Sequence, residues 1–196
     1  MTFKLGLTGS IGMGKTTTAR IFADQGVPVW DADAAVHRLY ERGGAAVLPI
    51  REIRADAVVD GAVDRGALRQ WIAEDPDALA RIEAVVHPLV GADRAAFLAT
   101  SESDVVVLDI PLLYETGAEV GLDGVAVVSA PADIQRERVL QRPGMTAEAL
   151  EALLSKQMPD DDKRKRADWI IDTTTLDAAQ EAVHKILTEV RNQDHA

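Results

Sequence analysis

Residues 9–16 read Gly9-Ser10-Ile11-Gly12-Met13-Gly14-Lys15-Thr16, which meets the pattern G-x-x-x-x-G-K-[ST] at every defined position. An apolar run at 3–7 enters this stretch and a helical pattern at 15–25 leaves it. That strand–loop–helix context separates a phosphate-cradling loop from a Gly-rich turn that happens to contain Lys-Thr. The glycines let successive backbone N–H groups converge on one anion-binding concavity, and the helix start adds its positive dipole end. Lys15 is placed to reach the β- and γ-phosphates of a nucleotide, and the Thr16 hydroxyl to ligate Mg2+.

A loop of this kind needs a strand to launch it and a sheet to hold that strand. Further apolar runs occur at 27–30, 104–110, 125–129 and 169–172, separated by helical patterns; 104–110 (DVVVLDI) reads as a strand buried on both faces. A helix is expected from about Pro131, and the chain closes on an amphipathic helix at 176–190. Strands alternating with helices imply an α/β fold with right-handed crossovers and a mainly parallel sheet. Two stretches break the alternation. Residues 34–100 are helical, with a weak strand candidate at 57–59, and 132–167 are polar, charged and helical. The expected division is a single kinase-like domain with its core at 1–33, 101–131 and 168–196. The insertion at 34–100 would hold a phosphate acceptor, and 132–167 would form a mobile lid.

Composition narrows the function further. A net charge of −11 argues against a general nucleic-acid binder, although a few basic residues in a cleft still hold a small anion. With no cysteine, disulfides, thiolate zinc sites and cysteine nucleophiles are excluded. The opening MTFKLGLTG lacks the parts of a signal peptide, and no apolar run approaches the roughly 20 residues that span a bilayer, so a soluble cytoplasmic protein without membrane contact is expected. No Asn-Lys-x-Asp guanine-reading motif occurs, which disfavours a GTPase, and the chain is too short for a large mechanical ATPase. A small-molecule kinase remains. Its acceptor hydroxyl requires a carboxylate, and Asp31-Ala32-Asp33 follows the second strand at the ligand edge: Asp31 reads as a helix cap or a metal-shell residue, Asp33 as the general base.

TGSIGMGKTT at 8–17, DAD at 31–33, His87-Pro88, DIPLLYE at 109–115 and ADWIID at 167–172 occur in an order that resembles the dephospho-coenzyme A kinases, over nearly the whole chain. The resemblance implies a P-loop fold like that of the nucleoside monophosphate kinases, with a five-stranded parallel core, a helical acceptor-binding insertion and a lid. It implies transfer of the ATP γ-phosphate, with Mg2+, to the ribose 3′-hydroxyl of dephospho-CoA, the last step of coenzyme A synthesis. Carried over by position, Gly12, Met13, Gly14, Lys15, Thr16 and Thr17 would wrap the ATP phosphates. Asp33 would be the base, Thr16 and Asp109 would serve the metal, and Pro111, Leu112 and Leu113, with Glu115 beside them, would shape the acceptor cleft. His87 would meet the acceptor or end the long helix that begins at Asp75-Pro76, because a residue before proline disfavours helical geometry. His37, His184 and His195 read as surface or tail residues, and Trp30, Trp71 and Trp169 as packing.

The lid sequence carries Arg136, Arg138 and Arg142, then Lys163, Arg164, Lys165 and Arg166. Arg138 and Arg142 are four apart, so a helix would present both on one face as cations for the transferred phosphoryl group. One departure stands out. Where the family usually has Asn and then Gly after Ile171-Asp172, close to the adenine, this chain has Thr173-Thr174-Thr175. Threonine resists positive φ, so the turn must differ or pair differently. A kinase for another nucleotide or small alcohol shares the architecture, and a nucleotide-dependent switch would share the loop alone. No subunit interface is legible in the sequence, and a monomer fits the family.

Overall fold

The computed structural model describes residues 2–193; His195 lies outside the described residues. In chain order the elements are β1 (Phe3–Thr8), α1 (Lys15–Asp24), β2 (Val29–Asp31), α2 (Ala32–Tyr40), α3 (Val47–Ile53), a single 3-10 turn, β3 (Val58–Val59), β4 (Ala62–Val63), α4 (Arg65–Glu74), α5 (Ala78–Thr100), β5 (Val105–Asp109), β6 (Gly124–Ser129), α6 (Ala132–Leu140), α7 (Ala147–Leu154), α8 (Asp160–Arg166), β7 (Trp169–Asp172) and α9 (Leu176–Gln193). They form two compact units. One comprises the residues up to Trp30 and from Ser101 onward, the other Asp31–Thr100.

The first unit is built on a five-stranded parallel sheet of order β2-β5-β1-β6-β7. Every residue of β5 and β6 is buried, which is why these strands read as unbroken apolar runs: helices cover both faces. On one face α1 contributes Ile21 and Phe22, and α9 contributes Ala179, Val183, Ile186, Leu187 and Val190 at intervals of three and four. Because β1 lies between β5 and β6, the chain winds outward from it in both directions. The loop after β1 therefore emerges at the switch point, where open parallel sheets bind ligands.

The second unit has its own core of Leu39, Val47, Ile50, Leu68, Trp71, Ile82 and Val86. The weak strand signal near 57–59 is β3, paired antiparallel with β4 through a turn at Asp60-Gly61, where φ is 50° and 79°. The long helix does not end before Pro88. The 23-residue α5 runs through it, and His87 and Pro88 are both exposed. Proline there removes one donor for a carbonyl a turn earlier, a local loss that the burial of Ile82 and Val86 outweighs. Among the described residues no helix is long and apolar enough to cross a membrane.

Candidate active site

The loop between β1 and α1 takes its shape from glycine and from side chains outside it. Gly12 and Gly14 have φ of 79° and 84°, values that L side chains rarely adopt. A Cβ on Gly12 would lie 2.5 Å from Val139 Cγ2, and one on Gly14 3.0 Å from Thr173 Cβ, so space as well as conformation selects glycine. Both backbone groups of Ile11 are gripped. Its N–H donates to Gln157 Oε1 at 3.1 Å, and its carbonyl accepts from Gln135 Nε2 at 2.8 Å. Met13 is buried, its carbonyl accepting from the Thr173 hydroxyl at 2.9 Å. Gln135 did not stand out in the sequence, and Thr173 did so only as part of the threonine turn, with no sign that its hydroxyl serves the loop. The only hint of Gln135 is a polar residue at an inward position of a helix, and it becomes informative once α6 is seen against the loop.

At the foot of the loop Lys15 pairs with Asp109, a nearly fully buried carboxylate at the end of β5. The sequence placed both at the ligand edge, and the sheet brings them together. Thr16 and Thr17 open α1 with exposed side chains. An exposed hydroxyl and a carboxylate beside a phosphate loop are hard oxygen donors, the set that suits Mg2+. No group of three or more His, Cys, Asp or Glu able to enclose a metal by itself occurs among the described residues.

The segment after β5 holds its place by burial. Leu113 is fully buried and lies against β1, where a Cβ on Gly6 would come within 2.9 Å of its Cδ1. It therefore supports this segment from beneath, and Pro111 and Leu112 are the members that reach solvent. Glu115 accepts from Met158 N–H at 2.8 Å and lies 2.8 Å from the Nζ of Lys163, which has no exposed surface. Burial alone would raise the Glu115 pKa. The Lys163 ammonium and the Met158 N–H outweigh it, and the carboxyl is held below its ordinary value. Lys163 is thus a structural cation, although its run, Asp-Asp-Asp-Lys-Arg-Lys-Arg, reads as a solvated helix face.

The two arginines expected to act from a lid, Arg138 and Arg142, do not share a helix face. Because α6 stops at Leu140, Arg142 falls in the following turn, where Pro143 disfavours helical geometry for the residue before it. Arg138 donates to the Thr173 carbonyl at 2.6 Å. The threonine turn after β7 solves its geometry with hydroxyls. Asp172 Oδ1 accepts from Thr174 N–H at 2.8 Å, and Thr175 Oγ1 caps α9 by accepting from Ala178 N–H at 3.1 Å. Among the described residues Asp60 is the only non-glycine with positive φ, so none of the three threonines adopts the conformation it resists.

In the second unit Asp31 caps α2 by accepting from Ala34 N–H at 2.9 Å, and Asp33 lies exposed in the first turn. His87 stands on α5. His184 is an exposed residue of α9, whereas His37 has a partner in Arg65. Trp30 and Trp71 are buried, and Trp169 packs edge-on to Phe3 with ring centres 6.2 Å apart, so all three serve packing.

Comparison with known proteins agrees with this geometry. A sequence model of the family described as dephospho-CoA kinase matches residues 3–178. A dephospho-CoA kinase of Cereibacter sphaeroides is 59% identical over 189 residues, covering 96% of each chain. A crystal structure of a Thermus thermophilus protein superposes with a TM-score of 0.85 at 37% identity, covering 96% of this chain and 97% of that one. The dephospho-CoA kinase of Campylobacter jejuni shares the fold with a TM-score of 0.65 at 23% identity, covering 95% and 96% of the two chains.

Proposed function

We propose that this chain, which belongs to the dephospho-CoA kinase family, transfers the γ-phosphoryl group of ATP to the ribose 3′-hydroxyl of dephospho-CoA, giving ADP and coenzyme A. The observation that carries the reading is a complete phosphate loop, with Lys15 set on Asp109, inside a chain matched to that family almost end to end.

In this reading the N–H groups of residues 12–17 and the Lys15 ammonium receive the ATP phosphates. Thr16 and Asp109 would hold Mg2+, which when bound neutralises charge on the phosphates. The acceptor oxygen attacks the γ-phosphorus as the bond to the bridging oxygen breaks, and its proton passes to the Asp33 carboxylate. Arg138 and Arg142 meet the charge on the transferred group; Arg138 exchanges the Thr173 carbonyl for a phosphoryl oxygen as it does so. Closure of the segment at about 132–167 would exclude water from the reaction. Amide hydrogen exchange in 141–158 is then expected to slow when ATP and acceptor are both present, and unchanged exchange removes the lid.

The function itself is tested by following ADP release from ATP and Mg2+ with and without dephospho-CoA, and by weighing the product. The expected result is an acceptor-dependent rate and a product heavier by one phosphoryl group. ADP release that dephospho-CoA does not stimulate rejects the acceptor.

A further inference from the structure

Arg65 occupies the first position of α4, where a cation opposes the partial positive charge of the helix start. The end is already capped, since Asp64 accepts from Gly66 and Ala67 N–H at 2.7 and 3.1 Å. Helix stability therefore does not explain this arginine. Its side chain reaches α2 instead: the guanidinium carbon stands 5.6 Å from the centre of the Tyr40 ring, and Nη1 lies 3.0 Å from His37 Nε2. Neither partner neutralises it. The Tyr40 ring offers a π face, and the imidazole nitrogen accepts, because a guanidinium has donors only. Three arginines of this unit are paired with acids, Arg38 with Asp93, Arg54 with Asp56 and Arg81 with Asp75, whereas the two contacts that hold Arg65 are an aromatic ring and an imidazole. Arg65 is exposed and has no carboxylate partner among the described residues. A guanidinium held by an aromatic face and an imidazole, with donors and charge left over, is a site for an anion.

Its position says which anion. His37 and Tyr40 follow Asp33 by four and seven residues, so the three share one face of α2, about 6 and 10 Å from Asp33 along the axis. We propose that Arg65, steadied by Tyr40 and His37, binds the 5′-diphosphate of the nucleotide acceptor and so sets which acceptors the enzyme accepts. The proposal rests on the acceptor reading above. In dephospho-CoA the 3′-hydroxyl and the 5′-diphosphate branch from the same ribose. When the hydroxyl is at Asp33, the diphosphate lies one sugar ring away, and Arg65 offers it a fixed cation on the same helix face. An acceptor without the diphosphate leaves Arg65 unmatched, which is how a polar site rejects an analogue.

The test compares the wild-type chain with Arg65→Ala and Arg65→Lys, using dephospho-CoA as acceptor and adenosine, which keeps the ribose and lacks the diphosphate, as its competitor. Arg65→Ala is expected to raise the KM for dephospho-CoA roughly 10- to 100-fold, the size of losing a charged hydrogen-bonded pair. The KM for ATP and the inhibition constant of adenosine should stay within about twofold, and Arg65→Lys should recover only part of the loss, because a point charge cannot bind in bidentate fashion. A thermal midpoint equal to the wild type's checks that the exposed substitution leaves the fold intact. An unchanged KM for dephospho-CoA, or equal weakening of dephospho-CoA and adenosine, overturns the proposal and leaves the acceptor reading standing. Wild-type protein that does not turn over dephospho-CoA at all overturns both.

Discussion

Asp33→Asn is expected to lower kcat by about 10²- to 10⁴-fold, the usual contribution of a positioned general base, while ATP affinity stays within about twofold. The substitution keeps the size of the side chain and removes only its ability to take a proton. Asp33 is exposed in the first turn of α2, and the cap on that helix comes from Asp31, so the fold has little at stake. The loss at the helix dipole is about 0.3–1 kcal/mol. Nucleotide titration and steady-state turnover on the same preparation separate the two effects. Turnover near the wild-type rate would remove Asp33 as the base, and a matching loss of ATP binding would mean that the residue serves the nucleotide instead.

Lys163→Met should produce the largest stability loss. Lys163 is fully buried and Glu115 has 16% of its side chain exposed, so removing the ammonium leaves a carboxylate largely out of water with one N–H for company. Breaking a buried pair in this way costs about 3–5 kcal/mol, or roughly 6–20 °C in Tm for a chain of this size. Adding Glu115→Gln removes the orphaned charge and keeps an acceptor for Met158 N–H, so the double variant should regain at least about half of the loss. A midpoint within about 2 °C of wild type in the single variant defeats the argument. The pair also has an acid signature. Because folding lowers the Glu115 pKa, its contribution is complete above the unfolded value and is lost as pH falls through the folded one. Wild-type stability should therefore fall below about pH 4 more steeply than that of the double variant.

What the sequence disclosed and what it hid follow from how far each feature reaches along the chain. The strands were legible because full burial in a parallel sheet demands runs such as VVVLD, and the loop because its chemistry is local. Features that depend on a distant partner were not. Nothing near Lys163 marks it as buried, since the three acids before it and the basic residues around it satisfy the helix dipole just as a surface helix would. Arg65 gains meaning only from Tyr40 and His37, some 25–28 residues earlier in the sequence. Pro88 misled for the opposite reason: the local rule is sound, and tertiary burial overrode it. The threonines at 173–175 were read as making the turn differ or pair differently, and none of them takes the positive φ that threonine resists. Which hydroxyl would serve the loop and which the helix was settled only by the position of Met13 next to the end of β7.

A line of contacts runs from Lys163 through Glu115 to Met158, and from its neighbour Gln157 to Ile11 at the tip of the loop. Folding strength and nucleotide handling are therefore carried by one continuous thread. Substitutions along it do not act as independent events, and their effects on stability and on ATP binding will not sum. A survey that scores each of these positions alone will file Gln157 under binding and Lys163 under folding, although each is felt at the other's end.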